Sequence, residues 1–137
     1  MAGSHFDLLA CGNDDPSGVE VTLSIVSENP AVIIARVGGD EEQRFPGVDL
    51  FDCLLSLREA LEGRGLLLCC QGARRNVSPS GMTRQMSNGR LAYFLRPEVR
   101  ASDDDLVDIF APADCADVAS IAEQKAEIRK IFRTSFG

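Results

Sequence analysis

Between Val19 and Ile25, apolar Val19, Val21, Leu23 and Ile25 alternate with Glu20, Thr22 and Ser24. That is the period of a strand with one face in a core and one in water. Asp14-Asp15-Pro16-Ser17-Gly18 before it has turn chemistry. Glu28-Asn29-Pro30 after it turns the chain into Ala31–Val37, a second strand that closes a hairpin. Gly38-Gly39-Asp40-Glu41-Glu42 reads as a solvated turn, and Pro46-Gly47-Val48-Asp49 introduces a different period. Leu50, Leu54, Leu57 and Leu61 fall at i, i+4, i+7 and i+11, with Phe51 and Leu55 widening the stripe, which predicts a helix. Asp49 is placed to cap its free amides and Asp52 to complement its dipole, while Gly63 or Gly65 ends it. Leu66–Cys70 is apolar on both faces, as in an interior strand.

Further on, Arg90–Arg96 reads as a strand ended by Pro97, and Leu106–Phe110 as a short strand paired with it. Asp114 or Asp117 caps a last helix with Val118, Ile121, Ala122, Ile128, Ile131 and Phe132 inward. Glu123, Gln124, Lys125, Glu127 and Lys130 are expected to face water. The order β-β-α-β-β-β-α predicts a single α+β domain over residues 1–137. Its expected form is a mixed sheet of about five strands, with a parallel pair made by a strand–helix–strand crossover and two helices packed on it.

The stretch Gln71–Arg96 interrupts this regular patterning with Arg, Ser, Asn, Gly and Pro. Residues 72–89 are therefore expected to form a long Arg-rich loop, and ordered loops of that length often carry function. From Gly63 to Pro97 there are six arginines and no acid, so the formal charge of −7 divides into +6 here and −13 elsewhere. Arginine forks recognise carboxylates and phosphates. Met82 and Met86 lie four apart, so one helical turn would bring them to one side as an adaptable apolar contact. Arg, Met and Tyr are residue types enriched in interface cores. The candidate partner-binding residues are Arg74, Arg75, Asn76, Met82, Arg84, Met86, Arg90 and Tyr93. Asp103, Asp104 and Asp105 join them as acidic groups that steer association. Three readings stay open: a partner surface, a site for a nucleotide or other phosphorylated metabolite, or a solvated connection whose arginines neutralise the protein's own acids.

Composition narrows the classes. A pI near 4.6 argues against a direct nucleic-acid binder, which needs a broad basic face. No apolar run is long enough to span a bilayer, and the start of the chain lacks a signal peptide's pattern. Met-Ala-Gly-Ser-His at residues 1–5 reads as a leftover of cloning and is set outside the fold, which removes the chain's one His from consideration. Without it, no Ser-His-Asp or Cys-His pair is expected and no catalytic residue is assigned. Cys11, Cys53, Cys69, Cys70 and Cys115 are odd in number and show no CxxC pair, so neither a metal nor any other cofactor is expected. Buried, reduced thiols of a cytoplasmic protein are the expectation. The acidic runs Asp40-Glu41-Glu42 and Asp103-Asp104-Asp105 lack the spacing of a calcium loop and read as solvated turns.

The blocks Gly72-Ala-Arg-Arg-Asn-Val-Ser-Pro-Ser-Gly-Met-Thr-Arg-Gln-Met-Ser-Asn-Gly-Arg-Leu-Ala-Tyr93 and Leu106-Val-Asp-Ile-Phe110 resemble small bacterial immunity proteins of polymorphic and contact-dependent toxin systems. The resemblance implies a non-enzymatic, cytoplasmic inhibitor that neutralises a cognate toxin domain by direct one-to-one complex formation. The alternative partner is a second copy of the chain, giving a homodimer.

Overall fold

The computed structural model describes residues 4–12 and 15–136. The chain runs β1 His5–Gly12, β2 Asp15–Glu28, β3 Ala31–Val37, β4 Gln43–Gly47, α1 Leu50–Glu62 and β5 Leu66–Leu68. It continues through β6 Val77–Ser78, α2 Gly81–Ser87, β7 Leu91–Phe94, β8 Leu106–Asp108 and α3 Ile121–Phe136. Short 3-10 turns lie at Gln71–Ala73, Asp103–Asp105 and Cys115–Asp117.

The architecture is α+β, with two antiparallel sheets in place of the expected mixed one. Five strands take the order β4-β3-β2-β1-β5, and three form a second sheet, β6-β7-β8. β1 accounts for the difference. Phe6, Leu8 and Ala10 alternate inward along it, and it pairs antiparallel with both β2 and β5. β4 and β5 consequently point the same way, but from opposite edges of the sheet. The expected parallel pair, Ala31–Val37 with Leu66–Cys70, does not form: β2 and β1 lie between β3 and β5, which run in opposite directions, and the unforeseen β4 is the strand that leads into α1. Ser4 and His5, set outside the fold by the sequence reading, belong to it: the Ile25 amide donates to the Ser4 carbonyl and His5 pairs with Ser24. Asp15–Gly18 belongs to β2 rather than to a turn, and Asp14 lies outside the described residues.

β2 and β3 form the expected hairpin, with Val21 opposite Val37, Leu23 opposite Ala35 and a bulge between Ile25 and Ser27. α1 packs its leucine stripe inward: Leu50, Leu54, Leu57 and Leu61 are all buried. Asp49 caps it by accepting from the Asp52 amide at 2.8 Å. Gly63 stays helical at the C-cap, and Gly65 takes the left-handed conformation with φ +77°. One face of α1 covers β3, β4 and β5, and α3 meets it from another side. The turn at Gly72 approaches so closely that a Cβ there would lie 2.6 Å from Leu54 Cδ2 and 2.9 Å from Ile109 Cβ. Ile109 and Phe110, expected at the end of a strand, leave β8 and join the core.

α3 begins later than either aspartate predicted. Asp114 caps the short 3-10 turn by accepting from the Ala116 amide. Ser120 caps α3: its Oγ accepts from the Glu123 amide and its own amide donates to Glu123 Oε1. Gln124, expected in water, is buried.

Candidate functional site

The Arg-rich stretch is structured rather than a free loop. After the 3-10 turn and β6, Ser80 starts α2 with a capping box: its Oγ accepts from the Thr83 amide at 3.0 Å, and Thr83 Oγ1 accepts from the Ser80 amide at 2.8 Å. Asn88 closes the helix in the left-handed conformation, followed by Gly89 with φ +78°. Its end docks on the start of α1, where the Leu50 amide donates to the Asn88 carbonyl at 2.8 Å. Gly89 is required there, because a Cβ would meet Asp49 Cγ at 2.8 Å and the Phe51 nitrogen at 2.9 Å. Asp49 therefore has two duties. One oxygen caps α1, and the other accepts from Arg84 Nη1 at 2.8 Å.

This docking decides what faces outward. Thr83 points into the protein, whereas Met82 and Met86 stand 63% and 80% exposed on α2. Val48, immediately before the Asp49 cap, is 86% exposed. A groove of about 360 Å³ runs beside this element, floored by Phe51, Leu55, Val77, Ile121 and Ile128 and carrying Arg84, Lys125 and Arg129. A chain of net negative charge thus has an apolar cleft edged by three cations.

The predicted contact residues divide between several places. Arg84, Met82 and Met86 share α2. Arg74 lies over the Phe94 ring at 4.5 Å and donates to Gln71 Oε1, while its buried Nε has no hydrogen-bond partner. Arg75 meets Glu123 at 3.8 Å with both side chains about half exposed. Asn76 is used structurally, its Nδ2 donating to the Leu95 carbonyl. Arg90 pairs with Asp108 at 3.0 Å and stacks over Phe6. Tyr93 is half-buried in β7 opposite Ser78 and Leu106. Asp103 and Asp104 are exposed, but Asp105 binds Arg96 at 3.1 Å and closes the capping box of its own 3-10 turn. Arg74, Arg75, Arg84 and Arg90 are all held by groups of the same chain.

Lys125, Arg129, Phe51 and Leu55 line the groove and were not singled out from the sequence. Ile121 and Ile128 were expected on the inward face of α3 and Lys125 in water, and nothing in their spacing marks a groove rather than a core face bordered by solvated charge. A second omission is the polar hub under the groove. Arg58 falls on the leucine stripe of α1 and is 1% exposed. It donates to Gln124 Oε1 at 2.7 Å, the Ala119 carbonyl at 2.9 Å and the Gly72 carbonyl at 3.4 Å. Gln124 Nε2 in turn donates to the carbonyls of Gly72, Arg74 and Val77. Burial pulls the Arg58 guanidinium below its ordinary pKa, against the opposing influence of Cys70 and Glu62.

Cys53 and Cys70 are held as buried, protonated thiols. Burial pushes Cys70 up to about 11 despite the pull of Arg58. Burial, with Asp52 and Asp49 adding to it, pushes Cys53 up to about 11 as well. Thiols held protonated in this way are inert. The expectation of reduced cysteines throughout is corrected by a Cys69–Cys115 disulfide. His5, contrary to expectation, lies between a serine and an aspartate: Nδ1 is 3.0 Å from Ser24 Oγ and Nε2 3.1 Å from Asp7 Oδ1. The group lies exposed on the open face of the sheet, and Ser24 is paired on both sides, with His5 and Ile34. No protein-family model and no curated protein matches the chain. No described helix is long and apolar enough to cross a membrane.

Proposed function

We propose that the chain is a non-enzymatic, cytoplasmic binding protein of the immunity type, which neutralises a bacterial toxin domain by direct complex formation. The observation that carries this reading is the exposure of Met82 and Met86 on a helix that is anchored inward through Thr83, Arg84 and Asn88. Methionines are flexible and polarisable, suited to adaptable contact, and exposed apolar groups beside a cleft mark interaction surfaces. α2 is capped at both ends, and α1 and β7 hold it, so its backbone is already ordered for binding and only its side chains lose freedom.

On this reading the interface lies away from the arginines. Arg74, Arg84 and Arg90 would have to leave an aromatic ring or a carboxylate to reach a partner. Their engagement likewise disfavours a phosphorylated metabolite held by the same side chains. Lys125 and Arg129 at the groove are better placed to meet a carboxylate of the partner. Asp103 and Asp104, remote in sequence from α2, keep only their steering role.

The test is co-purification from the native cells of the tagged chain and of a Met82→Ser/Met86→Ser variant, with light scattering of both. A stoichiometric toxin-like domain that accompanies the parent chain and is lost from the variant is the expected result. A clean monomer in both preparations would overturn the proposal. A homodimer abolished by the substitutions would transfer the surface to a second copy of the chain.

A further inference from the structure

Cys11, Cys69 and Cys115 come from separate segments, and their sulfurs all lie within 4.8 Å of one another. Cys11 Sγ and Cys69 Sγ are 3.5 Å apart. Main-chain hydrogen bonds set this frame independently of the disulfide. Cys11 stands opposite Leu67 in the β1–β5 ladder, and the Cys69 amide donates to the Leu9 carbonyl at 2.7 Å. The Ala113 amide donates to the Cys69 carbonyl at 3.1 Å, two residues before Cys115. Opening the Cys69–Cys115 bond therefore leaves three thiols converging on one point.

We propose that the reduced chain holds a divalent thiophilic cation, zinc(II), on the thiolates of Cys11, Cys69 and Cys115. A dithiol reductant passes two electrons to the Cys69–Cys115 bond and becomes a disulfide itself, leaving two thiols. The cation then binds three sulfurs and displaces three protons. Three protein ligands leave a fourth position for water or a further ligand. In a tetrahedral site with Zn–S bonds of ~2.3 Å the sulfurs stand about 3.8 Å apart, so the cluster needs only small side-chain rotations to close on an ion.

The rival chemistry is attack of Cys11 on the disulfide. In-line attack on Cys69 would set the two outer sulfurs about 5.5 Å apart, the existing gap plus an ordinary S–S bond. The sulfurs are grouped more tightly than that, so Cys11 sits beside the bond rather than on its axis. Asp7, Glu20 and Asp114 line a depression of about 760 Å³ together with Cys69 and Cys115. Carboxylates at its wall favour entry of a cation. Sequence spacing could not show the ligand set, because the three residues share no motif.

The experiment uses the full chain, reduced with a thiol-free phosphine and titrated with Co²⁺ and then Zn²⁺. One Co²⁺ per chain with thiolate-to-cobalt charge-transfer absorption, displaced by Zn²⁺, is expected. Cys11→Ser should weaken Zn²⁺ by more than the ~10–100-fold that loss of a supporting contact costs, while Cys53→Ser leaves it unchanged. In the unsubstituted chain, Zn²⁺ should protect Cys11, Cys69 and Cys115 together from alkylation, a readout independent of how any variant folds. Absence of the charge-transfer band, or free alkylation of Cys11 in saturating Zn²⁺, would overturn the site. So would an affinity indifferent to Cys11→Ser in a folded variant. None of these outcomes bears on the partner surface of α2.

Discussion

Arg58 and Gln124 show how one buried cation can organise a junction without a carboxylate. Arg58 reaches from α1 to the carbonyls of Gly72 and Ala119 and to the Gln124 amide, which shares the Gly72 carbonyl and ties two further ones, those of Arg74 and Val77. Apart from Val77 in β6, these carbonyls belong to chain outside the sheets, and without the two side chains they would be buried with fewer donors. Arg58→Ala removes the donors and leaves Gln124 Oε1 and the Ala119 carbonyl short of a partner, so it should cost roughly 3 kcal/mol or more, read from the denaturant midpoint. A loss below about 1 kcal/mol would indicate that water replaces the guanidinium. The buried thiols give a second residue-scale expectation. Folded Cys53 and Cys70 ionise near 11, against 9.0 for an ordinary thiol. Above pH 9 the unfolded chain loses protons that the folded chain keeps, so their contribution to stability is complete below pH 9 and is lost as pH rises towards about 11. Denaturant titrations across that window should show falling stability, less steep in a Cys70→Ala variant.

At the scale of elements, the docking of α2 on α1 turns on a single glycine. Gly89→Ala combines a left-handed φ with contacts of 2.8–3.0 Å to Asp49 and the Phe51 nitrogen. It should destabilise by more than the ~1 kcal/mol by which the same exchange stabilises an unstrained position, and hydrogen exchange should localise the loosening to α2 and the first turn of α1. Uniform exchange across both sheets would contradict that assignment. The elements that were legible in the sequence are those with a long, clean period: β2, β3 and α1, whose alternation or leucine stripe coincides with burial. β1 was lost because its first residues were set aside and Cys11 and Gly12 blur its alternation; with it went the topology, since β1 decides where β5 pairs. α2 was half legible. The four-residue spacing of Met82 and Met86 suggested a helical turn, but no sequence feature shows that Ser80 and Thr83 cap it or that Asp49 anchors it. Arg58 was hidden by its polarity on an otherwise apolar stripe.

For the whole molecule, the segregation of charge along the chain is largely undone by folding. The basic stretch returns to acids that lie outside it in sequence: Arg84 to Asp49, Arg90 to Asp108, Arg96 to Asp105 and Arg64 to Asp40. Exposed pairs such as Arg64–Asp40 contribute little stability, but together they leave few cations free to advertise a site. What distinguishes the surface is then apolar: α2 with its two methionines, next to a cleft whose cations come mainly from α3. The most direct measurement is calorimetric binding of the co-purifying domain to three forms of the protein: the parent chain, Met82→Ser/Met86→Ser, and Arg74→Ala/Arg75→Ala. The account predicts at least a tenfold loss of affinity for the methionine variant, about 1.4 kcal/mol or more, and a change of less than about threefold for the arginine variant. A strong loss in the arginine variant with the methionine variant unaffected would contradict it, and would place the interface at Arg74 and Arg75.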